Sequence, residues 1–309
     1  IFSAPKTEEP NEQKVDLKSF DVFKYDGIRA LRIGKTAYAV KCFTEALNIQ
    51  DDLETMKYLV TAYNALNMNE EALETLDDMV ETGEEPVNSL LLRANFRLLS
   101  EKYQEAVGDC EQIIDMEPDN YIAYFYMAKA QQQLGERETA IENLNKAIRI
   151  KDDFFEGYVL RAELYLMIEK GCKALADIEK ANELNPEEES VYLLRGRIYE
   201  VLGNAEAAIL DYQQALDWNP FNETASLLAG QLMITQGKMD EAITLYDEAI
   251  EQNENFQQAY MARAFAKHQT GDHKGALEDE TKAKELNPEA IDKPDKNPNF
   301  DNLYKGGIY

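Results

Sequence analysis

Small and apolar residues return along the chain at a constant interval. Alanine recurs every 34 residues, at Ala72, Ala106, Ala140, Ala174, Ala208, Ala242 and Ala276. Between these alanines, large apolar residues follow the three- and four-residue spacing of amphipathic helices instead of the alternation of strands. Each interval therefore predicts a pair of helices, and the predicted fold class is all-α.

Helix-breaking residues mark the ends of the predicted helices. Glycine stands between the two helices of most intervals, at Gly34, Gly135, Gly203, Gly237 and Gly271. Glycine ends a helix at low steric cost because it adopts the left-handed conformation freely. Proline follows the second helix of several intervals, at Pro118, Pro186, Pro220 and Pro288, where it stops that helix.

Segment 189–222 carries the whole pattern in one phase. Its characteristic positions are Tyr192, Gly196, Tyr199, Gly203, Ala208, Tyr212, Ala215 and Pro220. This pattern resembles the tetratricopeptide repeat (TPR). The same phase defines eight repeats, at 20–52, 53–86, 87–120, 121–154, 155–188, 189–222, 223–256 and 257–290. The resemblance implies a right-handed superhelical solenoid of helix-turn-helix repeats, whose first helices line a concave surface that holds peptides or partner helices.

Two segments lie outside the repeats. Residues 1–19 are mostly polar, contain Pro5 and Pro10, and show no helical stripe, so we predict a mobile N-terminal lead-in. Residues 291–309 combine proline with aromatic and aliphatic residues. This tail is predicted to fold back over the last repeat, and the alternative is that it docks on a neighbouring molecule.

Four repeats carry an arginine in the first helix and an aspartate 16 residues later in the second. The pairs are Arg93 with Asp109, Arg161 with Asp177, Arg195 with Asp211, and Arg263 with Asp279. The other four repeats lack both residues. We predict a partly buried ion pair between the two helices of each of these four repeats, with a structural role.

Charge and cysteine content restrict the classes of partner. The sequence has 59 acidic and 32 basic residues and a net charge of −27, which argues against nucleic acid or an anionic membrane as the main partner. No apolar run is long enough for membrane insertion. Cys42, Cys110 and Cys172 are widely spaced and form no CxxC pair, so we predict small buried residues instead of disulfides or zinc ligands.

The sequence offers little catalytic chemistry. His268 and His273 are the only histidines, and no recognisable catalytic or metal-binding motif surrounds them. We therefore predict no enzyme activity, no metal site and no cofactor. Because the sequence starts at Ile1 and not at methionine, localisation stays open between cytoplasmic and, after removal of a signal peptide, periplasmic or secreted.

The phase of the first helices selects candidate partner-binding residues on the concave face. They are Lys57, Asn64, Asn95, Phe125, Lys129, Gln132, Glu163, Arg197, Leu227, Gln231, Met261 and Phe265. Phe125 is a better contact candidate than Tyr124, whose column belongs to the core. An alternative is that Lys129, Arg197 and Glu163 merely neutralise one another.

Together these patterns predict a non-enzymatic scaffold that binds a peptide segment or a partner protein on its concave face. The main rival is a self-assembling structural component that docks through its end faces or its C-terminal tail. A third hypothesis is a module that positions a domain preceding Ile1.

Overall fold

The computed structural model describes residues 12–287, with side chains from residue 17 onward. In this part of the chain every regular element is an α-helix, and there are sixteen. Their bounds are α1 (Glu12–Arg32), α2 (Thr36–Leu47), α3 (Leu53–Ala65), α4 (Asn69–Glu81), α5 (Pro86–Leu99), α6 (Tyr103–Met116), α7 (Tyr121–Gln133), α8 (Arg137–Ile150), α9 (Phe155–Met167), α10 (Gly171–Leu184), α11 (Glu189–Val201), α12 (Ala205–Trp218), α13 (Glu223–Thr235), α14 (Met239–Gln252), α15 (Gln257–Thr270) and α16 (His273–Leu286).

Odd-numbered helices are the first helices of the repeats, and even-numbered helices are the second. The chain divides into two compact units, residues 1–152 and 153–309. Within each unit, every helix packs against the next one along the chain. This arrangement confirms the predicted all-α solenoid of helix-turn-helix repeats.

The core of each unit lies between the paired helices. Phe43 and Leu76 in the first unit, and Tyr212 and Tyr246 in the second, have no exposed surface. Each large side chain buried in this way contributes about 1.5 to 3 kcal/mol to folding by leaving water. Glycine faces three of these residues across the helix pair, Gly27 at Phe43, Gly196 at Tyr212 and Gly230 at Tyr246, which lets the two backbones approach closely.

The first helix is longer than predicted. α1 begins at Glu12, so residues 12–19, predicted as part of a mobile lead-in, belong to a helix. Among residues 17–19, whose side chains are described, the apolar Leu17 is 52% exposed. The helix extends because neither proline nor glycine interrupts the chain between Pro10 and Gly27.

The predicted tail, 291–309, and residues 1–11 lie outside the described residues. The last described helix ends at Leu286. On its outer face Leu277 is 61% exposed, whereas Ile209, at the same position of α12, is 6% exposed. In α12 that position faces the following repeat, and no further helix follows α16 among residues 12–287.

The turn glycines have the left-handed backbone that the sequence predicts. Their φ angles are 74° at Gly34, 82° at Gly135, 76° at Gly203, 76° at Gly237 and 89° at Gly271. Three turns hold other residues in the same conformation, with φ of 56° at Asn67, 59° at Glu101 and 58° at Glu169. The left-handed turn is therefore a property of the repeat, and it persists where a side chain adds a steric cost of about 1 kcal/mol.

The predicted arginine–aspartate pairs form in all four repeats. The Nη2 to Oδ1 distances are 2.5 Å for Arg93 and Asp109, 2.6 Å for Arg161 and Asp177, 2.7 Å for Arg195 and Asp211, and 2.6 Å for Arg263 and Asp279. In each pair the arginine Nε also donates to the carboxylate, so the contact is bidentate. All four aspartates are buried, which confirms the prediction of partly buried interhelical pairs.

Two of these arginines also bind the preceding repeat. Nη1 of Arg93 donates to Asp77 of α4 at 2.7 Å, and Nη1 of Arg263 donates to Asp247 of α14 at 2.6 Å. Each of these guanidinium groups therefore joins the second helices of two successive repeats, in addition to holding its own helix pair together.

Candidate functional site

The first helices lie on the inner side of each unit. α1 contacts α3 and α5 contacts α7 in the first unit, and α9 contacts α11 and α13 contacts α15 in the second. Within residues 12–287, no two second helices pack as closely as these pairs. Successive helices lie closer together on the inner side of a curved array. The side chains of the first helices that point away from the second helices therefore line the candidate site of each unit.

The cationic groups of the earliest repeats are already paired. Nζ of Lys24 lies 2.8 Å from Asp52 and 2.7 Å from Glu54, and its side chain is mostly buried. Nζ of Lys57 lies 2.8 Å from Glu85. Lys57, predicted to bind a partner, is therefore neutralised within the chain.

The pKa values agree with these contacts. Burial alone would lower the pKa of Lys24, but its hydrogen bonds with Asp52 and Glu54 outweigh this effect and raise the pKa. The hydrogen bond from Lys57 lowers the pKa of Glu85. Lys24 is thus held in the charged, paired form at neutral pH.

Five predicted residues on the first helices of the first unit carry amide, aromatic or unpaired cationic side chains, and we call this set the amide–aromatic surface. They are Asn64, Asn95, Phe125, Lys129 and Gln132. Nζ of Lys129 lies 5.8 Å from the centroid of the Phe125 ring, within cation–π range. Lys129 is exposed, and within the first unit it forms no ion pair.

The amide groups of this surface are not used for folding. In the described part of the chain, the side chains of Asn64, Asn95 and Gln132 form no hydrogen bond, although each offers donors and an acceptor. Asn64 is exposed, and Asn95 and Gln132 are half-buried. Side-chain amides that form no hydrogen bond within the protein can pair with both the N–H and the C=O groups of a peptide backbone.

The inner side of the second unit differs from its prediction at one residue. Leu227 is only 2% exposed and belongs to the hydrophobic core, so it is not an open contact residue. The physical reason is that α15 packs closely against α13 and covers this position. The remaining predicted residues of this unit, Glu163, Arg197, Gln231, Met261 and Phe265, are half-buried.

Sequence reasoning missed a polar contact at the edge of the second unit's inner side. Glu200 accepts a hydrogen bond from the hydroxyl of Tyr212, which belongs to the second helix of the same repeat. Tyr246 is the equivalent tyrosine of the next repeat, and its hydroxyl is buried without a partner in the described part of the chain. Ile234 stands where Glu200 would be, and this difference is visible in the sequence once the repeats are aligned.

The cysteines divide into two classes. Cys42 and Cys110 are buried as predicted, and burial raises the pKa of the Cys110 thiol to about 12. Cys172 is exposed, so its predicted burial is wrong. It lies in the first turn of α10 at a position where most other second helices carry a polar residue, such as Glu138 or Glu206.

Other chemistry is sparse among the described residues. Residues 12–287 contain no group of three or more His, Cys, Asp or Glu side chains arranged to hold a metal ion. None of the helices in this range is both long and apolar enough to span a bilayer.

Comparison with protein families supports the repeat assignment. One tetratricopeptide-repeat model matches residues 97–164 and 202–267, and a second matches 172–223, so together they span more than half of the chain. No curated protein matches the sequence.

Solved structures with a similar fold share little sequence with the chain. A tetratricopeptide repeat protein from Parabacteroides merdae is 24% identical, with a TM-score of 0.53 over 69% of this chain and 84% of that one. YrrB, described as a TPR protein with an unusual peptide-binding site, is 21% identical, with a TM-score of 0.51 over 59% of this chain and 94% of that one. PilF from Pseudomonas aeruginosa is 15% identical, with a TM-score of 0.55 over 71% of this chain and 99% of that one. At these identities the likeness shows the fold alone.

Proposed function

Because the chain belongs to the tetratricopeptide repeat family, we propose that this interaction scaffold binds an extended peptide segment of a partner protein on the amide–aromatic surface of its first unit. The observation that carries the proposal is Lys129. Its ammonium group lies over Phe125, is exposed, and forms no ion pair within that unit.

The chemistry of this surface defines the segment. Lys129 attracts a carboxylate, and the half-buried ring of Phe125 offers apolar contact beside it. Asn64, Asn95 and Gln132 supply hydrogen-bonding groups for a peptide backbone. The net charge of −27 disfavours a strongly acidic ligand, so we expect one carboxylate next to an apolar residue in an otherwise neutral or basic segment.

The second helix of the same repeat offers a control variant for Lys129→Gln. Lys146 is also exposed, and its ammonium lies 5.2 Å from the centroid of the Tyr124 ring. Lys146 belongs to α8, whereas Lys129 belongs to α7 on the inner side. Lys146→Gln therefore removes the same charge and the same type of contact without touching the proposed site.

The test is selection of binders from a library of random displayed peptides. We expect the selected peptides to carry Asp or Glu beside an apolar residue, and to bind Lys129→Gln and Phe125→Ala at least about tenfold more weakly than the native chain, which corresponds to about 1.4 kcal/mol. Lys146→Gln should bind them like the native chain. Equal binding by Lys129→Gln and the native chain, or equal losses in both lysine variants, would reject this site.

Self-association is a second candidate function, and the exposed Leu277 favours it. The equivalent residues Leu73, Val107 and Ile209 are buried in second helices that pack against a following repeat, so a second copy of the chain is one way to cover this face. Sedimentation at increasing concentration tests it. A mass that rises for the native chain and stays monomeric for Leu277→Lys supports association through α16, and a constant native mass excludes it.

A further inference from the structure

We propose that the turn between α15 and α16 binds a divalent transition-metal ion through His268 and His273. These are the two histidines of the whole sequence, and both lie at the same turn. Their Nδ1 atoms are 3.2 Å apart and the ring centroids 5.5 Å apart. Both residues are exposed, so solvent and ions reach the two nitrogens.

The separation of the two nitrogens suits a shared ion. Imidazole nitrogens bind Zn²⁺ at about 2.0 to 2.1 Å in tetrahedral geometry, which places two ligating nitrogens about 3.3 Å apart. The observed separation is close to this value. A small rotation of the exposed rings therefore directs both lone pairs at one ion.

The backbone holds the two histidines in place. His268 lies in the last turn of α15, and His273 is the first residue of α16. Gly271 reverses the chain between them with a φ of 89°, and the side chain of Asp272 caps α16 by accepting a hydrogen bond from the amide of Gly275 at 2.9 Å. Because both helices are part of the packed repeat, the pair does not depend on a long loop.

A carboxylate orients the first of the two rings. Nε2 of His268 lies 3.0 Å from Oε1 of Glu280. A carboxylate accepts a hydrogen bond, so the proton of His268 is placed on Nε2, and Nδ1 keeps its lone pair for a metal. Glu280 stands in the column that holds Tyr212 and Tyr246 in other repeats, so this contact is specific to the last repeat.

Two imidazoles select the class of ion. Imidazole favours zinc, copper and nickel over magnesium and calcium, which prefer oxygen ligands. Residues 12–287 supply no group of three or more ligands, so water completes the coordination sphere. In the metal-bound form, His273 would carry its ring proton on Nε2 and present the lone pair of Nδ1 to the ion.

The test is a calorimetric titration of the tag-free full chain with Zn²⁺. We expect one equivalent to bind with micromolar affinity, and we expect His268→Gln and His273→Gln each to weaken binding at least tenfold. Glu280→Gln should weaken it by about tenfold while one equivalent still binds, because the ligand is then less well oriented. Glu278→Gln removes a neighbouring exposed carboxylate that pairs with Lys274, and should leave binding unchanged.

A thermal melt provides a second measurement on the same variants. Saturating Zn²⁺ should raise the melting temperature of the native chain, because the ion joins α15 to α16, and should raise that of the histidine variants much less. Circular dichroism checks that the variants are folded. The proposal is rejected if native chain and His273→Gln bind Zn²⁺ equally well, or if the native chain binds none.

Discussion

The ring of Tyr212 occupies the space that a side chain at Gly196 would need. A Cβ atom on Gly196 would lie 2.5 Å from Cε1 of Tyr212, well inside van der Waals contact. Gly27 and Phe43 have the same relationship, at the same separation of 16 residues. Where the partner is the smaller Leu144, alanine takes this position, at Ala128, and where it is Leu76 the larger Val60 does. Size at one position of the first helix is therefore matched to size at one position of the second.

Gly196→Ala should destabilise the native chain by about 1 to 3 kcal/mol, because the added methyl group overpacks the contact with Tyr212. In a Tyr212→Leu background the same substitution should cost less than half as much, since alanine and leucine already coexist in the repeat of Ala128. Urea denaturation of the four proteins of this cycle measures the coupling. Equal costs in both backgrounds would show that the ring does not limit the size of residue 196.

The two buried tyrosines should respond in opposite ways to loss of the hydroxyl group. Tyr212→Phe removes the hydrogen bond to Glu200 and should cost about 1.5 kcal/mol. Tyr246→Phe removes a buried hydroxyl that has no partner within the described residues, so it should be neutral or stabilise the protein by about 1 kcal/mol. The free energy of unfolding of each variant tests this prediction. Similar losses of stability in both variants would contradict it.

Asp109 should be among the most sensitive charged residues of the first unit. It is fully buried and accepts hydrogen bonds from Arg93, and Arg97 approaches to 2.7 Å. Asp109→Ala strands these guanidinium groups and should cost about 3 to 5 kcal/mol.

Asp77→Ala is the matched control for that substitution. Asp77 also pairs with Arg93, but its side chain is 50% exposed, so its loss should cost about 0 to 1 kcal/mol. Denaturant midpoints of the two variants provide the comparison. A loss below 1 kcal/mol for Asp109→Ala would mean that water enters and solvates the arginines.

Stability should depend on pH through Asp52. Burial alone would raise its pKa, but hydrogen bonds from Lys24 and Thr55 outweigh this effect and lower the pKa below its usual value of 3.8. A lowered pKa means that the stabilisation is present above the unfolded-state pKa and is lost as the pH falls through the folded-state pKa. The stability difference between the native chain and Asp52→Asn should therefore be largest near neutral pH and shrink below about pH 4.

Asp51→Asn is the control for this titration. Asp51 is exposed and forms no hydrogen bond or ion pair among the described residues, so its variant should differ little from the native chain at any pH. Asparagine also caps helices, so Asp52→Asn keeps the N-cap of α3 and isolates the charge. If the stability of the two variants depended on pH in the same way, Asp52 would not be the cause of the pH dependence.

Residues whose partners recur at a fixed separation were predictable from the sequence. The pairing of Arg195 with Asp211 follows from a spacing that four repeats share. The pairing of Lys57 with Glu85 did not, because the same contact recurs only once among the described residues, between Lys24 and Asp52, and two repeats give too weak a signal. Leu227 was wrongly predicted to be an open contact residue for another reason. Periodicity places it on the inner side of the second unit, but its burial depends on the packing of α15 against α13, which the pattern does not show.

The contacts of Arg93 also affect how the repeats unfold. Its guanidinium joins Asp77 of one repeat to Asp109 of the next, but Asp77 is half exposed, so this contact adds only about 0 to 1 kcal/mol to the coupling between the two repeats. Arrays of repeats otherwise fray one unit at a time. In hydrogen exchange, the amides of α5 and α6, which the buried Arg93–Asp109 pair joins, should therefore become accessible together, whereas those of α4 can open separately.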